Sequence, residues 1–184
     1  MRRLIVLVAL VFAACGGQTD TGVGLKLDDF PSGWTQYGES GKDSTCESVV
    51  AARKAASAYD RSATFERRPR LVATSTVFLY DDEAKAREAF AKLNSDATRA
   101  CFAESLSAKG TQELEIAAAG DERAGLQVDV AKTDKHPAAA YQLVYVRSGR
   151  AVAELVFAGL FKPFDRGLRE DLTAKVAARA RSAP

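Results

Sequence analysis

One histidine and three cysteines among 184 residues set the limits on the chemistry this chain can perform. His136 is the one side chain whose ordinary pKa lies near neutrality, so hydrolysis built on Ser or Cys would need it as the base. It sits in "KTDKHPAAA", directly before Pro137 and among lysines, with no nucleophile motif beside it. The sequence has no Gly-Xaa-Ser-Xaa-Gly elbow, phosphate-binding P-loop, His-Glu-Xaa-Xaa-His or dinucleotide fingerprint. Asp81, Asp82 and Glu83 offer neighbouring carboxylates, but three acids before an apolar-periodic run complement a helix dipole. A metal site would lack ligands, with a single histidine and no close cysteine pair. The expectation is a domain with no catalytic residue, no metal and no cofactor.

Cys15 closes the stretch "MRRLIVLVALVFAAC". Arg2 and Arg3 form a positive start, Leu4 to Phe12 an uninterrupted apolar run of nine residues, and Ala13 and Ala14 a small-residue end. That order is a secretory signal peptide. A bilayer-spanning helix needs about 20 apolar residues, so the run is too short for a permanent span. Two small residues directly before a cysteine resemble the lipobox of bacterial lipoproteins. Phe12 departs from it, standing where that family usually carries an aliphatic residue. The resemblance implies that residues 1–14 are removed and that Cys15 takes the lipid and becomes the N-terminus. The competing reading is an ordinary cleaved signal peptide, with Cys15 a bystander. Acyl chains anchor firmly, since each buried methylene contributes about 0.8 kcal/mol. Residues 15–24 then read as the lipidated cysteine and a flexible Gly/Thr-rich tether.

If lipid takes Cys15, Cys46 and Cys101 remain as an even pair in an oxidising compartment. They form either a bridge or two buried thiols, and the compartment favours the bridge. Charge excludes a further class of partner. Lys and Arg number 26 against 24 Asp and Glu, and Arg2 and Arg3 account for the whole excess. A near-neutral mature protein has no general attraction for nucleic acid.

The elements that must position these residues follow from periodicity. Leu25 and Leu27 alternate as a short strand, and Phe30-Pro31-Ser32-Gly33 is a turn, with Trp34 a plug at the edge of the core rather than a ligand platform. Ser44 and Glu47 have capping-box spacing for a helix that places Cys46, Val49 and Val50 on one face. "YDRSATFERRPRL" reads as a charged connector whose Arg61, Arg67, Arg68 and Arg70 are solvated. "LVATSTVFLY" is a central strand, apolar on both faces. Residues 83–106 read as one long helix with Ala86, Ala89, Phe90, Leu93, Ala97, Ala100 and Cys101 on its apolar stripe. "ELEIA" and "GLQVDVA" are strands separated by the turn "AAAGDERAG", and two further strands meet at Ser148-Gly149. Phe164, Leu168, Leu172 and Val176 mark a closing helix that packs on the sheet.

That order predicts a single α+β domain over residues 25–184. Its expected architecture is an antiparallel sheet of about five strands, with two long helices and one short helix mainly on one face. The Pro-Ser-Gly-Trp turn before a cysteine-bearing helix, "TSTVFLYDDEAKAREAFAKL" leading to Cys101, and the late hairpin with its closing helix resemble the PknH-like extracellular sensor domains. A PsbP-like lipoprotein fold is second on element order. The PknH-like family typically has two disulfides, and this chain can form only one. Both resemblances imply binding of a ligand or protein in the envelope rather than catalysis. The expected protein is a lipoprotein held by its lipid at the extracytoplasmic face of a bacterial membrane, its ligand-binding residues unassigned. A carrier of small apolar molecules and an envelope hydrolase are the alternatives.

Overall fold

The β-branched and aromatic runs at residues 71–79, 139–148 and 151–160 pair side by side as the centre of one sheet. A computed structural model describes residues 17–18, 22–37, 44–68, 71–132, 134 and 137–183. Its strands are β1 (Gly17–Gln18), β2 (Thr35–Tyr37), β3 (Ala58–Arg61), β4 (Thr64–Arg67), β5 (Leu71–Leu79), β6 (Gln112–Glu113), β7 (Glu122–Val130), β8 (Ala139–Ser148) and β9 (Ala151–Leu160). The helices are α1 (Glu47–Ala55), α2 (Glu83–Leu93), α3 (Asp96–Ser105) and α4 (Arg166–Arg181), with a 3₁₀ turn at Leu27–Asp29. The sheet runs β1-β3-β5-β9-β8-β7-β6, and β4 lies beside β5 with β2 outside it. Eight strands pair antiparallel, and the two-residue β1 runs parallel to β3.

The α+β class is as expected, but the sheet has nine strands among the described residues rather than about five. Half of the difference is the segment expected as a connector, which forms β3 and β4. β3 and β4 both pair with β5, and one extra residue between them makes a bulge at Ser62-Ala63. Ser62 stitches the bulge: its amide donates to the Ser75 carbonyl, and its hydroxyl accepts from the Ser75 amide. Polar residues serve this distorted edge, so the segment carries no apolar alternation to read. "ELEIA" contributes only Glu113 to a two-residue strand, while Glu122 to Ala124, expected as a turn, lie within β7. Leu25 and Leu27 form no strand; Leu25 is buried beside the 3₁₀ turn.

The helix expected over residues 83–106 is two. Its break is Asn94-Ser95, where Ser95 caps α3 by accepting from the Thr98 amide. Thr98 also donates to the Lys92 carbonyl at 2.7 Å and lies 2.6 Å from the Ser48 hydroxyl, tying α3 to the end of α2 and to α1. Asp82 caps α2 through the Lys85 amide, as a helix-starting acid should. At α1 the cap position is Cys46, and Ser44 instead accepts from the Cys46 amide, so the expected capping box is not formed.

Alternation along the central strands separates two cores. Ala153, Leu155 and Phe157 of β9 face one side with Val144 and Val146 of β8; Val152 and Val156 face the other with Leu143 and Tyr145. The first side is covered by α4, through Leu172, Val176 and Ala177, and by the segment around Trp34. Trp34 stacks on Phe30 and Phe164 with ring centroids 4.6 and 5.7 Å away, so it plugs the core. The second side carries α1, α2 and α3. Helices therefore cover both faces, with α4 opposite the other three, where the sequence reading put them mainly on one. An antiparallel sheet whose central strands are apolar on both faces must bury both.

Candidate functional site

Four side chains form a row across the sheet. In register, Arg61 of β3 opposes Thr76 of β5, Thr76 opposes Glu154 of β9, and Glu154 opposes Tyr145 of β8. Period-two alternation puts all four on the face covered by α1, α2 and α3. Above the row lies a pocket of about 480 Å³. Its floor is Arg61, Thr76 and Glu154 with Phe78, Leu143 and Val156, and its walls come from Val49, Val50 and Arg53 of α1 and from Phe102 and Leu106 at the end of α3. A volume of this size suits a small organic molecule.

The disulfide builds the roof. Cys46 and Cys101 are bonded, with Cα atoms 5.8 Å apart, joining the start of α1 to α3. Tyr80 adds a second tie, its hydroxyl donating to the Ala52 carbonyl from the end of β5 at 3.1 Å. The helices bordering the pocket are thus fixed to each other and to the sheet.

Glu154 gives the pocket its chemistry. It is the one acid in the apolar strand "AVAELVFAGL". The residue as a whole is half-buried, but its Oε2 is sealed from solvent, and that oxygen governs the carboxyl. Burial pushes the pKa up to about 7; the Tyr145 hydroxyl and the Arg61 guanidinium favour the charged form without offsetting the loss of water. Burial, and then the Glu154 carboxylate, push Tyr145 well above its ordinary value. The Tyr145 hydroxyl and the Glu154 carboxylate lie close enough to interact but short of full hydrogen-bonding geometry, and among the described residues neither Oη nor Oε2 has another partner. Orphaned buried polar atoms are costly, and among the described residues Trp34 Nε1, Ser148 Oγ and Arg169 Nε share that condition.

Two other polar clusters are occupied by the chain itself. Beside β3, a cavity of about 520 Å³ is lined by Lys26, Gln36, Asp60 and Ser62. Asp60 there accepts from the Val23 and Gly24 amides, and Ser75 accepts from the Leu25 amide, so these groups hold the N-terminal segment against the sheet. On the α4 face, buried Arg169 donates to the Gln142 side chain at 3.0 Å and to the Glu115 carbonyl at 3.3 Å.

Of the residues singled out in the sequence, the structure brings Cys46 and Cys101 together, with Cys46 at the pocket wall. Cys15, Arg70 and His136 lie outside the described residues. Arg67 and Arg68 are exposed, with Arg68 3.5 Å from Glu66, but Arg61 is half-buried and reaches the pocket rather than solvating a loop. Sequence reasoning missed Glu154 altogether. The available signal was a lone acid within ten apolar-rich strand residues, which alternation assigns to a covered face. Among the described residues no group of three or more His, Cys, Asp or Glu is placed to hold a metal ion, and no helix is long and apolar enough to cross a membrane.

No protein-family model matches the chain, and no curated protein matches it in sequence. Two solved structures are similar in part. The extracellular domain of PknH from Mycobacterium tuberculosis aligns over 66% of this chain and 66% of that one, with a TM-score of 0.45 and 10% identity. LpqN, described as involved in cell envelope biogenesis of Mycobacterium tuberculosis, aligns over 82% of this chain and 75% of that one, with a TM-score of 0.33 and 18% identity. The functional reading rests on the pocket.

Proposed function

We propose that this protein is a lipid-anchored lipoprotein of the extracytoplasmic face whose domain binds a ligand, without catalysing a reaction, in the pocket between the sheet and the disulfide-linked helices. One observation carries the reading: a cavity of about 480 Å³ with apolar walls has a single acid on its floor. Such a site has the make-up of a small-molecule binding pocket, mostly apolar with few polar groups to orient the guest. Anchoring through Cys15 is supported by the lipobox-like "FAAC", and an oxidising location by the Cys46–Cys101 bond. Carriage of an apolar molecule is the second reading, favoured by Val49, Val50, Phe78, Phe102, Leu106 and Val156 in the lining.

The test is a titration with 1-N-phenylnaphthylamine, a neutral apolar fluorophore. Wild-type protein is expected to bind it with enhanced fluorescence. Val50→Trp, which fills the pocket from a half-buried position on α1, is expected to abolish binding while leaving the circular dichroism spectrum unchanged. Equal binding by both proteins would overturn the assignment.

A further inference from the structure

Resting on that pocket as the binding site, the geometry points to the class of its guest. We propose that it takes a molecule with an apolar body and a hydrogen-bond-donating polar end, a hydroxyl or an ammonium, and that this end is received by the Glu154 carboxylate.

The argument begins with what the site leaves unsatisfied. Glu154 Oε2 is an acceptor with no donor at full hydrogen-bonding geometry among the described residues, in a strand whose neighbours are otherwise apolar. A buried carboxylate is retained at a cost unless something pairs with it. Leu or Val at this position would pack without that cost. Thr76 on one side and Tyr145 on the other hold the carboxylate in the row, and neither meets Oε2 at hydrogen-bonding geometry. The Glu154 side chain lines the pocket and is the one acid there, so a donor entering from the pocket meets the open side of its carboxyl group, whereas a carboxylate head would meet the ionised group as a like charge.

The distribution of charge sets the orientation. Arg53 of α1 and Arg61 of β3 line the pocket, and Arg99 of α3 acts on Tyr145 from further along the same side. The floor thus holds the one carboxylate, bordered by cationic side chains. A donor head placed at Glu154 leaves the apolar body against Val50, Phe78, Phe102, Leu106 and Val156. An anionic head would be drawn instead to the arginines, in the reverse orientation.

The experiment titrates the purified mature protein with decane, 1-decanol, decylamine and decanoate, each below its aggregation concentration. Decanol, decylamine or both are expected to bind at least about tenfold more tightly than decanoate, the effect of one hydrogen bond to a charged or buried carboxyl. Glu154→Leu is expected to remove that preference while retaining binding of decane. Tightest binding by decanoate, or an unchanged preference in Glu154→Leu, would overturn the proposed guest while leaving the pocket reading intact. Binding of none of the four would overturn both.

Discussion

Tyr145 on β8 stands directly opposite Glu154 on β9, beneath the helices that the Cys46–Cys101 bond joins. The hydroxyl and one carboxylate oxygen are both enclosed, and neither meets a partner at full hydrogen-bonding geometry among the described residues. Sheets stabilise themselves through cross-strand pairs. Here the central pair is polar between apolar neighbours on both strands, and burial of its carboxyl group works against stability.

Stability should therefore fall as pH rises across the titration of Glu154. Its folded pKa of about 7 lies above the ordinary value of 4.5. Below pH 4.5 both folded and unfolded chains hold the proton and no penalty exists. Between 4.5 and about 7 the unfolded chain releases it first, and stability declines by up to roughly 3 kcal/mol before levelling off. Urea denaturation at pH 5 and pH 8 should show the decline in wild type and its loss in Glu154→Gln. A Glu154→Gln protein with the same pH slope as wild type would contradict the assignment.

Reducing the disulfide should affect stability and binding together. Cys46 and Cys101 are 55 residues apart, and closing a loop of that length is worth about 4 kcal/mol in the chain-entropy account. The double variant Cys46→Ala/Cys101→Ala is expected to lose stability of that order. It should also bind the naphthylamine probe less tightly, because α1 and α3 are no longer fixed over the pocket. Guanidinium denaturation gives the first quantity and fluorescence titration the second.

A separate ion pair closes the other side of the fold. Arg179 of α4 donates to both Asp29 oxygens, at 2.9 and 2.7 Å, and to the Val23 and Gly24 carbonyls. Burial alone would raise the Asp29 pKa, but the Arg179 hydrogen bond, the Lys26 amide and the nearby charges of Arg179 and Lys175 hold it below the ordinary value. This stabilisation is present above the ordinary carboxyl pKa and is lost as pH falls through the depressed folded value. Arg179→Ala should cost about 2 kcal/mol at pH 7. Denaturation curves at pH 7 and pH 3 should show Asp29→Asn losing less stability than wild type on acidification.

Anchoring has its own test. Metabolic labelling with a radioactive fatty acid should mark the wild-type chain and leave Cys15→Ser unlabelled. That variant should leave the membrane fraction or accumulate as an unprocessed precursor. Equal labelling of both proteins would remove Cys15 as the attachment residue.

What was legible in the sequence were the elements that carry their own periodicity. "LVATSTVFLY" became β5, the Ser148-Gly149 signal became the β8–β9 turn with Gly149 at φ +58°, and Leu172 and Val176 became the buried stripe of α4. Other elements were hidden by competing signals. The apolar stripe continues through Ala97 and Ala100, masking the break at Ser95, whose capping is visible only once Thr98 is seen to fold back on Lys92. β3 and β4 were obscured because Asp60 and Ser62 serve the N-terminal segment and the bulge instead of an apolar face. The placement of α4 opposite the other helices depends on strand order, which local pattern does not encode. The two cysteines could be paired by arithmetic, whereas the row from Arg61 to Tyr145 exists only through the register of four strands.

The most direct test of the binding account is native mass spectrometry of the protein purified from its own envelope, with Val50→Trp prepared in parallel. The account predicts a small-molecule adduct on the wild-type chain, absent from Val50→Trp and displaced from wild type by excess 1-decanol. A wild-type chain at its bare mass that also fails to bind 1-N-phenylnaphthylamine would contradict it.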